Sequence, residues 1–210
     1  MRNFVLFLLV VLIGCSSGEF PENDYAWLDP DVLKRVKNSS QELLLSRPQV
    51  EFANGVTASN CIEYFRQKGE VTETAANYAG RSHYLICDAL KLADTWPPKL
   101  EDKPIEEDLS LCSTLSLSSF EHSLRPRIEA DGATLTQLFG EEAIEGLNAC
   151  SFQGEGRNFV LNAVLLVQEK ERPKRMWVWV IDEILDASYR SYVPVWFVFD
   201  ESKSMWIATQ

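Results

Sequence analysis

Three apolar segments near the C-terminus give the clearest pattern in the chain. They span residues 159–168, 175–185 and 191–199, and each is rich in Val, Phe and Trp. The short polar stretches "EKERPK" and "DASY" separate them, and a shorter segment, "SMWIA", follows "DESK". Such runs between polar turns are typical of strands, and the short connections favour antiparallel neighbours. The pattern predicts an antiparallel meander of three or four strands.

Both sides of these predicted strands are apolar. Successive side chains of a strand point to opposite faces of the sheet, so Trp177 and Trp179 share one face while Val178 and Val180 share the other. A sheet with two apolar faces needs cover on both of them. Pro194 has no amide hydrogen to donate, which predicts a sheet edge or a bulge at that position.

Helical patterns occupy other stretches of the chain, which are residues 29–46, 57–69, 72–96 and 140–150. In the first of them, Asp29 is suited to the N-cap and Pro30 to the first helical position. Thr72 is the expected N-cap of the third. The order of these elements predicts an α+β fold with N-terminal helices packed on the C-terminal antiparallel meander. Because the sheet needs the helices as cover, we expect one domain over residues 29–210.

A different apolar run opens the chain. Arg2 precedes ten apolar residues, Phe4 to Ile13. A helix of that length reaches about 15 Å, whereas the hydrocarbon core of a bilayer is about 30 Å thick. A basic head followed by a short apolar core therefore predicts a secretory signal peptide over residues 1–14, not a membrane span.

The end of this run is Leu12-Ile13-Gly14-Cys15, which resembles the lipobox of bacterial lipoproteins. The resemblance implies that Cys15 receives a diacylglyceryl group, that cleavage falls before it, and that the new amino terminus is acylated. Two or three acyl chains give stable membrane anchoring. In Gram-negative lipoproteins an aspartate after the cysteine favours the inner membrane, so Ser16 implies the outer membrane, facing the periplasm, if the host is Gram-negative. The alternative is an ordinary signal peptide with a chance cysteine.

The mature chain is strongly acidic. Without residues 1–14 it has 19 basic and 31 acidic residues, a net charge of −12. Nucleic acids and anionic lipid surfaces repel such a chain, so neither is an expected partner. Residues 15–28 are polar, and we expect them to form the acylated cysteine and a tether to the folded domain.

Four cysteines remain after Cys15, and they are Cys61, Cys87, Cys112 and Cys150. An even number in an exported chain predicts two disulfides. Three connectivities are possible, and we prefer the pairing of sequence neighbours. Zinc is not an expected ligand, because the chain has no C-x-x-C motif. His83 and Cys87 are four residues apart on a predicted helix, but a surface histidine beside a disulfide cysteine explains that spacing.

After the predicted signal peptide, the sequence contains no motif that carries a catalytic mechanism. S-x-x-K, H-E-x-x-H and the Walker and Rossmann glycine patterns are absent, and G-x-S-x-G occurs only at residues 14–18, across the predicted cleavage site. We therefore predict no catalytic residue and no cofactor. Asp182, Glu183 and Asp186 are the acids left open for a hydrolase that acts on cell wall or lipid through carboxylates.

Tryptophans are the remaining candidates for a binding site. Four of them lie in the last 34 residues, and they are Trp177, Trp179, Trp196 and Trp206. An exposed aromatic patch of this kind is typical of a binding surface, and the alternative is an aromatic core. We expect a non-catalytic envelope lipoprotein that binds a protein partner, either as an accessory subunit in an assembly or as an immunity protein against a toxin. The alternatives are the carboxylate hydrolase and a carrier of a small apolar ligand.

Overall fold

The computed structural model describes residues 23–67, 71–72, 74–99, 109–187 and 189–209. The predicted signal peptide, Cys15 and the first part of the predicted tether lie outside these residues. The α-helices are α1 (Pro30–Lys37), α2 (Ser39–Leu44), α3 (Cys61–Arg66), α4 (Ala75–Arg81), α5 (Leu85–Leu92), α6 (Leu111–Thr114) and α7 (Leu135–Phe139). The strands are β1 (Asn23–Trp27), β2 (Val50–Glu51), β3 (Thr57–Ala58), β4 (Ala143–Glu145), β5 (Ala149–Gly154), β6 (Arg157–Glu169), β7 (Arg175–Ile184), β8 (Arg190–Asp200) and β9 (Met205–Ala208).

An antiparallel sheet with the order β4-β5-β6-β7-β8-β9 forms the C-terminal part of the chain. Helices and this sheet together confirm the predicted α+β class. The strands β6 to β9 are the predicted meander, and their ends lie within two residues of the predicted segments. Pro194 pairs with Trp179 of β7, whereas β9 pairs only with the far end of β8, from Phe197 to Asp200. Pro194 therefore lies at an edge, as its missing amide hydrogen requires.

The sheet contains more strands than the predicted three or four. The α-helix predicted over residues 140–150 is wrong, because that range holds β4 and the start of β5 and only a single 3-10 turn at Gly140–Glu142. β5 pairs with the first half of β6, from Ala149 opposite Asn162 to Gly154 opposite Arg157. Pairing with a long neighbouring strand outweighs the helical preference of a short Glu- and Ala-rich segment, since intrinsic propensity is a weak determinant.

The entry strand β1 also extends the sheet beyond the prediction. Asn23 lies opposite Glu169 and Trp27 opposite Leu165, so β1 pairs antiparallel with the second half of β6. Leu28 continues the contact through a hydrogen bond from its amide to the carbonyl of Val164. The last residues of the range predicted as a tether therefore belong to the folded sheet.

Apolar clusters lie on both faces of the sheet. On one face, Met176 and Val178 of β7 pack with leucines of residues 109–135, such as Leu117. On the other face, Trp177 and Leu165 lie in a cluster with residues of α1, α3 and α5. The alternation along β7 follows the pleat, so the two-sided apolar pattern of the strands is satisfied by a two-sided core.

Local capping explains where the helices begin. The Asp29 carboxylate accepts a hydrogen bond from the amide of Val32 at 2.9 Å, which confirms Asp29 as the cap of α1. The predicted cap Thr72 is wrong, because its amide donates to the carbonyl of Glu51. Thr74 caps α4 instead. The two longest predicted helices are also interrupted, the first at Asn38 between α1 and α2 and the second by a 3-10 turn between α4 and α5.

Candidate functional site

Two disulfides join the four cysteines that follow the predicted lipobox. Cys61 is bonded to Cys87 and Cys112 to Cys150, with a Cα–Cα distance of 5.2 Å in each pair. The predicted disulfides are thus confirmed, and sequence neighbours are paired. The bond between Cys61 and Cys87 joins the start of α3 to α5. The disulfide therefore cross-links these two helices within the helical layer.

The four tryptophans predicted as binding candidates lie in different environments. Trp177 and Trp206 have only 3% and 4% of their surface exposed, and they lie in the clusters on opposite faces of the sheet. Neither is open to a partner. Trp179 and Trp196 are half-buried on the helical face. The structure therefore does not bring the four rings together in one exposed patch.

Trp196 is further covered by its neighbours. Its ring centroid lies 5.5 Å from that of Trp96. The guanidinium of Arg175 lies over both rings, 5.3 Å from Trp196 and 5.9 Å from Trp96, and it also donates to Glu169 at 2.7 Å. This stack is an intramolecular cation–π contact. The guanidinium of Arg175 therefore already has partners within the protein.

The acids at the end of β7 do not converge. Asp182 is 1% exposed and accepts hydrogen bonds from the amide and the hydroxyl of Ser123, both at 2.6 Å. Glu183 points to the opposite face, where Tyr192 and Asn158 donate to it. Asp186 is exposed in the turn that follows. The paired carboxylates that glycoside hydrolysis needs are therefore not formed by these three residues.

His122 lies close to Ser123 and Asp182 but is engaged elsewhere. Its Nε2 lies 2.8 Å from the carbonyl oxygen of Leu117, and its Nδ1 accepts a hydrogen bond from the amide of Leu124 at 3.1 Å. Burial lowers the pKa of His122. Because both ring nitrogens have backbone partners, neither can take a proton from Ser123, which a nucleophile and base pair requires.

The described part of the chain contains no cluster of metal-ligating side chains. No group of three or more His, Cys, Asp or Glu side chains there is placed to hold an ion. Cys87 is bonded to Cys61, so its thiolate is not available beside His83.

The largest described cavity is a groove on the helical layer. It has a volume of about 770 Å³, and it lies between α1 and α2 on one side and α3 and α5 on the other. We call it the Phe65 groove, and its apolar lining includes Val36, Leu43, Ile62, Phe65, Leu90 and Pro97. Lys37, Arg66 and Asp94 add charges to the same lining. An apolar cleft with a few charges is typical of a ligand or partner site.

Large apolar side chains are exposed beside this groove. Phe65 of α3 is 39% exposed, and Leu44 and Leu45 at the end of α2 are 69% and 52% exposed. They directly follow Leu43, which lines the groove. Phe65 and Leu43 line the groove, and Leu44 and Leu45 are exposed next to Leu43 in the chain.

Arg47 holds α2 in the orientation that exposes these leucines. Its buried guanidinium donates to the backbone carbonyls of Leu45 at 2.7 Å, of Glu42 at 3.0 Å and of His83 at 3.0 Å. It also forms an ion pair with the Glu42 carboxylate at 2.8 Å, which Arg35 shares. The hydrogen bond from Arg35 lowers the pKa of Glu42. The exposed leucines therefore belong to a fixed element.

A second cavity lies on the other side of Phe65. We call it the Asp88 pocket, and its lining is Phe52, Tyr64, Phe65, Gln67, Asp88, Lys91 and Asp94, around a volume of about 350 Å³. Phe65 and Asp94 also line the Phe65 groove, so the two cavities are adjacent. The ring of Tyr64 lies 5.7 Å from that of Phe52 and 6.3 Å from that of Phe65.

Burial shapes the ionisation of the polar groups in the Asp88 pocket. It raises the pKa of Asp88 to about 6 and that of Tyr64 to about 12. The charges of Arg81 and Lys91 act against this increase and lower the pKa of Asp88. Among the described residues, however, neither forms an ion pair with Asp88 within 4.0 Å. At neutral pH Asp88 is a half-buried carboxylate without a close cation in that part of the chain.

The sequence patterns did not lead to this site. The run Leu43 to Leu45 carries a usable signal, because an amphipathic helix cannot bury three consecutive apolar residues on one face. Phe65 beside Tyr64 gives a similar signal in α3.

Comparisons of the chain with protein-family models, with curated proteins and with solved structures found no match. None of the helices in the described residues is long and apolar enough to cross a bilayer.

Proposed function

We propose that the mature chain is an envelope lipoprotein, anchored through Cys15 at the outer membrane, that binds a protein partner without catalysing a reaction. The exposed side chain of Phe65 in the apolar lining of the Phe65 groove carries this proposal, and the exposed Leu44 and Leu45, which follow the groove residue Leu43 in the chain, support it. The lipobox resemblance supports the anchor. The partner is a subunit of an envelope assembly or a toxin against which the protein gives immunity.

The rigidity of the groove supports a binding role. Helices packed on the sheet, the bond between Cys61 and Cys87, and the Arg47 contacts hold its walls in place. Preformed surfaces lose little conformational entropy when they bind. Aromatic side chains such as that of Phe65 are also enriched in protein interfaces.

The chemistry elsewhere supports a non-catalytic role. Asp182 and Ser123 bind each other, Glu183 binds Tyr192, and His122 binds the backbone. Each of these groups has a structural partner, and each lies outside the Phe65 groove.

Partner capture with matched variants tests the proposal. We expect tagged residues 19–210, oxidised, to capture one stoichiometric partner from envelope extracts of the source organism. Leu45→Ser with Phe65→Ser should reduce capture at least tenfold, because these side chains supply the apolar contacts. Leu185→Ser is the control, since Leu185 is 49% exposed but follows β7, outside the groove. Equal capture by both variants would contradict the proposed site, and no capture by the unmodified domain would contradict the binding role.

A carrier of a small apolar ligand is the second candidate function, because the groove is apolar and large enough for an acyl chain. Lipid that co-purifies with the protein in native mass spectrometry, and that is lost in Phe65→Ser, would favour this function over the binding of a protein.

A further inference from the structure

The lining of the Asp88 pocket differs in composition from that of the apolar Phe65 groove. Three aromatic side chains and two carboxyl groups line it, those of Asp88 and Asp94. Its volume of about 350 Å³ is near the lower end of the range of ligand pockets, roughly 300 to 1,000 Å³. The pocket therefore suits a single side chain.

The aromatic walls favour a cation. Phe52 and Phe65 flank Tyr64, with centroid distances of 5.7 and 6.3 Å. The faces of aromatic rings attract positive charge, and a guanidinium also stacks on them through its plane. Phe65 is 39% exposed, so its ring is accessible at the mouth of the pocket.

The carboxylate of Asp88 lacks a counter-charge. Within the described residues it accepts no hydrogen bond and forms no ion pair, although it is half-buried. Lys91 lines the same pocket but is exposed. A carboxylate removed from water without a partner is destabilising, and a bound cation relieves that penalty.

We propose that the Asp88 pocket binds an arginine side chain of the protein partner, with the guanidinium between the aromatic rings and the Asp88 carboxylate. This inference rests on the proposed function and names the partner's contacting group. The net charge of −11 supports it, because an acidic protein attracts basic partners.

Small probes test the pocket without the partner. We expect N-acetyl-arginine methylamide to shift the ¹H–¹⁵N amide signals of Tyr64, Phe65 and Asp88 in residues 19–210, with saturation in the millimolar range. The citrulline analogue has nearly the same shape and no charge, and it should bind at least tenfold more weakly. Equal binding of the two probes, or shifts confined to other residues, would overturn the proposal.

Two variants separate a specific contact from general charge attraction. Asp88→Asn should weaken binding of the arginine probe at least tenfold. Asp186→Asn removes one negative charge from the exposed turn after β7, and it should leave that binding unchanged. Equal weakening by both variants would overturn the proposal, since it would indicate attraction by net charge alone.

The same variants distinguish this inference from the function on which it rests. If a partner binds through Phe65 but Asp88→Asn keeps its full affinity, the arginine contact is wrong and the binding function stands. If the arginine probe binds while no partner is captured, the pocket stands and the proposed function is wrong.

Discussion

At the scale of single residues, the acidic side chains of the described part of the chain differ in whether they have hydrogen-bond partners. Asp182 fixes Ser123 against β7, and Arg157 donates to the Ser123 hydroxyl at 2.7 Å. This network joins the irregular segment after α6 to the sheet. Asp88 differs, because its carboxyl group faces a pocket and is not bound within the described residues. The contrast separates a structural acid from a candidate binding acid.

Asp182→Ala should destabilise the protein, because Asp182 has a structural role. Its removal leaves the Ser123 amide and hydroxyl without their acceptor in the interior, and we expect a loss of about 3 kcal/mol in the free energy of unfolding. Urea denaturation at pH 7 measures this loss. Asp186→Ala, in the exposed turn, should change stability by less than about 0.5 kcal/mol. An unchanged unfolding midpoint for Asp182→Ala would contradict the structural role.

Asp88→Asn should change the pH dependence of stability. The folded-state pKa of Asp88, about 6, lies above its ordinary value of 3.8, so the folded state binds the proton more tightly than the unfolded state. The contribution of Asp88 is then fully present below pH 4, and it is lost as the pH rises through 6. Asp88→Asn should match the unmodified protein near pH 4 and exceed it at pH 7 by about 1 to 2 kcal/mol, less than the full shift implies because solvent screens a half-buried group.

Thermal and urea unfolding at pH 4, 5, 6 and 7 measure this difference. Other carboxyl groups act in the opposite direction, because hydrogen bonds lower the pKa of Glu42 and of Asp200. The difference between variant and parent cancels those contributions. A difference that stays constant from pH 4 to pH 7 would show that Asp88 has an ordinary pKa.

At the scale of elements, α2 is short and depends on one arginine. It spans Ser39–Leu44 and has no buried residue of its own. Isolated helices of this length are not stable in water, so the contacts of Arg47 with Glu42, Leu45 and His83 define its position. The exposed leucines of the candidate site therefore rely on a polar anchor, since only the partly buried Leu43 packs α2 against the core.

Arg47→Ala should cost much more stability than Arg35→Ala, although both residues pair with Glu42. The Arg47 side chain is 3% exposed and that of Arg35 is 39% exposed. Removing a buried partner leaves unpaired groups and costs about 3 to 5 kcal/mol, whereas an exposed pair contributes about 0 to 1 kcal/mol. Chemical denaturation of the two variants gives the comparison, and similar losses for both would show that Arg47 is not the anchor of α2.

The long strands were predictable from sequence because each is apolar on both sides and ends in charged residues. The short strands β4 and β5 were not, since residues 140–150 resemble a helix and only the pairing of β4 with β5 and of β5 with β6 makes them strands. β1 was assigned to a tether for the same reason, because its partner lies more than a hundred residues later, at Leu165 to Glu169. Pairing over such distances is decided by tertiary contacts, which local patterns do not contain.

The candidate site was less predictable than the fold. The tryptophan pattern predicted binding residues in the sheet, but Trp177 and Trp206 fill the core. Phe65, Leu45 and Asp88 become a site only when α2, α3 and α5 pack together. Exposure is a property of the assembled surface, so a residue's type and its spacing do not reveal it.

At the scale of the whole molecule, only a short stretch of sequence joins the proposed anchor to the folded domain. β1 begins at Asn23, opposite Glu169, and Asn23 lies eight positions after Cys15 in the chain, a span of at most about 28 Å. Tyr25 donates to the carbonyl of Pro97 at 2.7 Å, and Pro97 lines the Phe65 groove. In the anchored state that we propose, the partner is met close to the membrane surface.

Site-specific photo-crosslinking in cells of the source organism tests the central claim most directly. The full-length protein would carry p-benzoylphenylalanine at position 65 or, as a control of similar exposure, at position 185. We predict one discrete crosslinked protein from position 65, none from position 185, and loss of the position-65 product when Leu45 is replaced by Ser. The same crosslinks from both positions, or none from position 65, would contradict the claim that the Phe65 groove binds a protein partner.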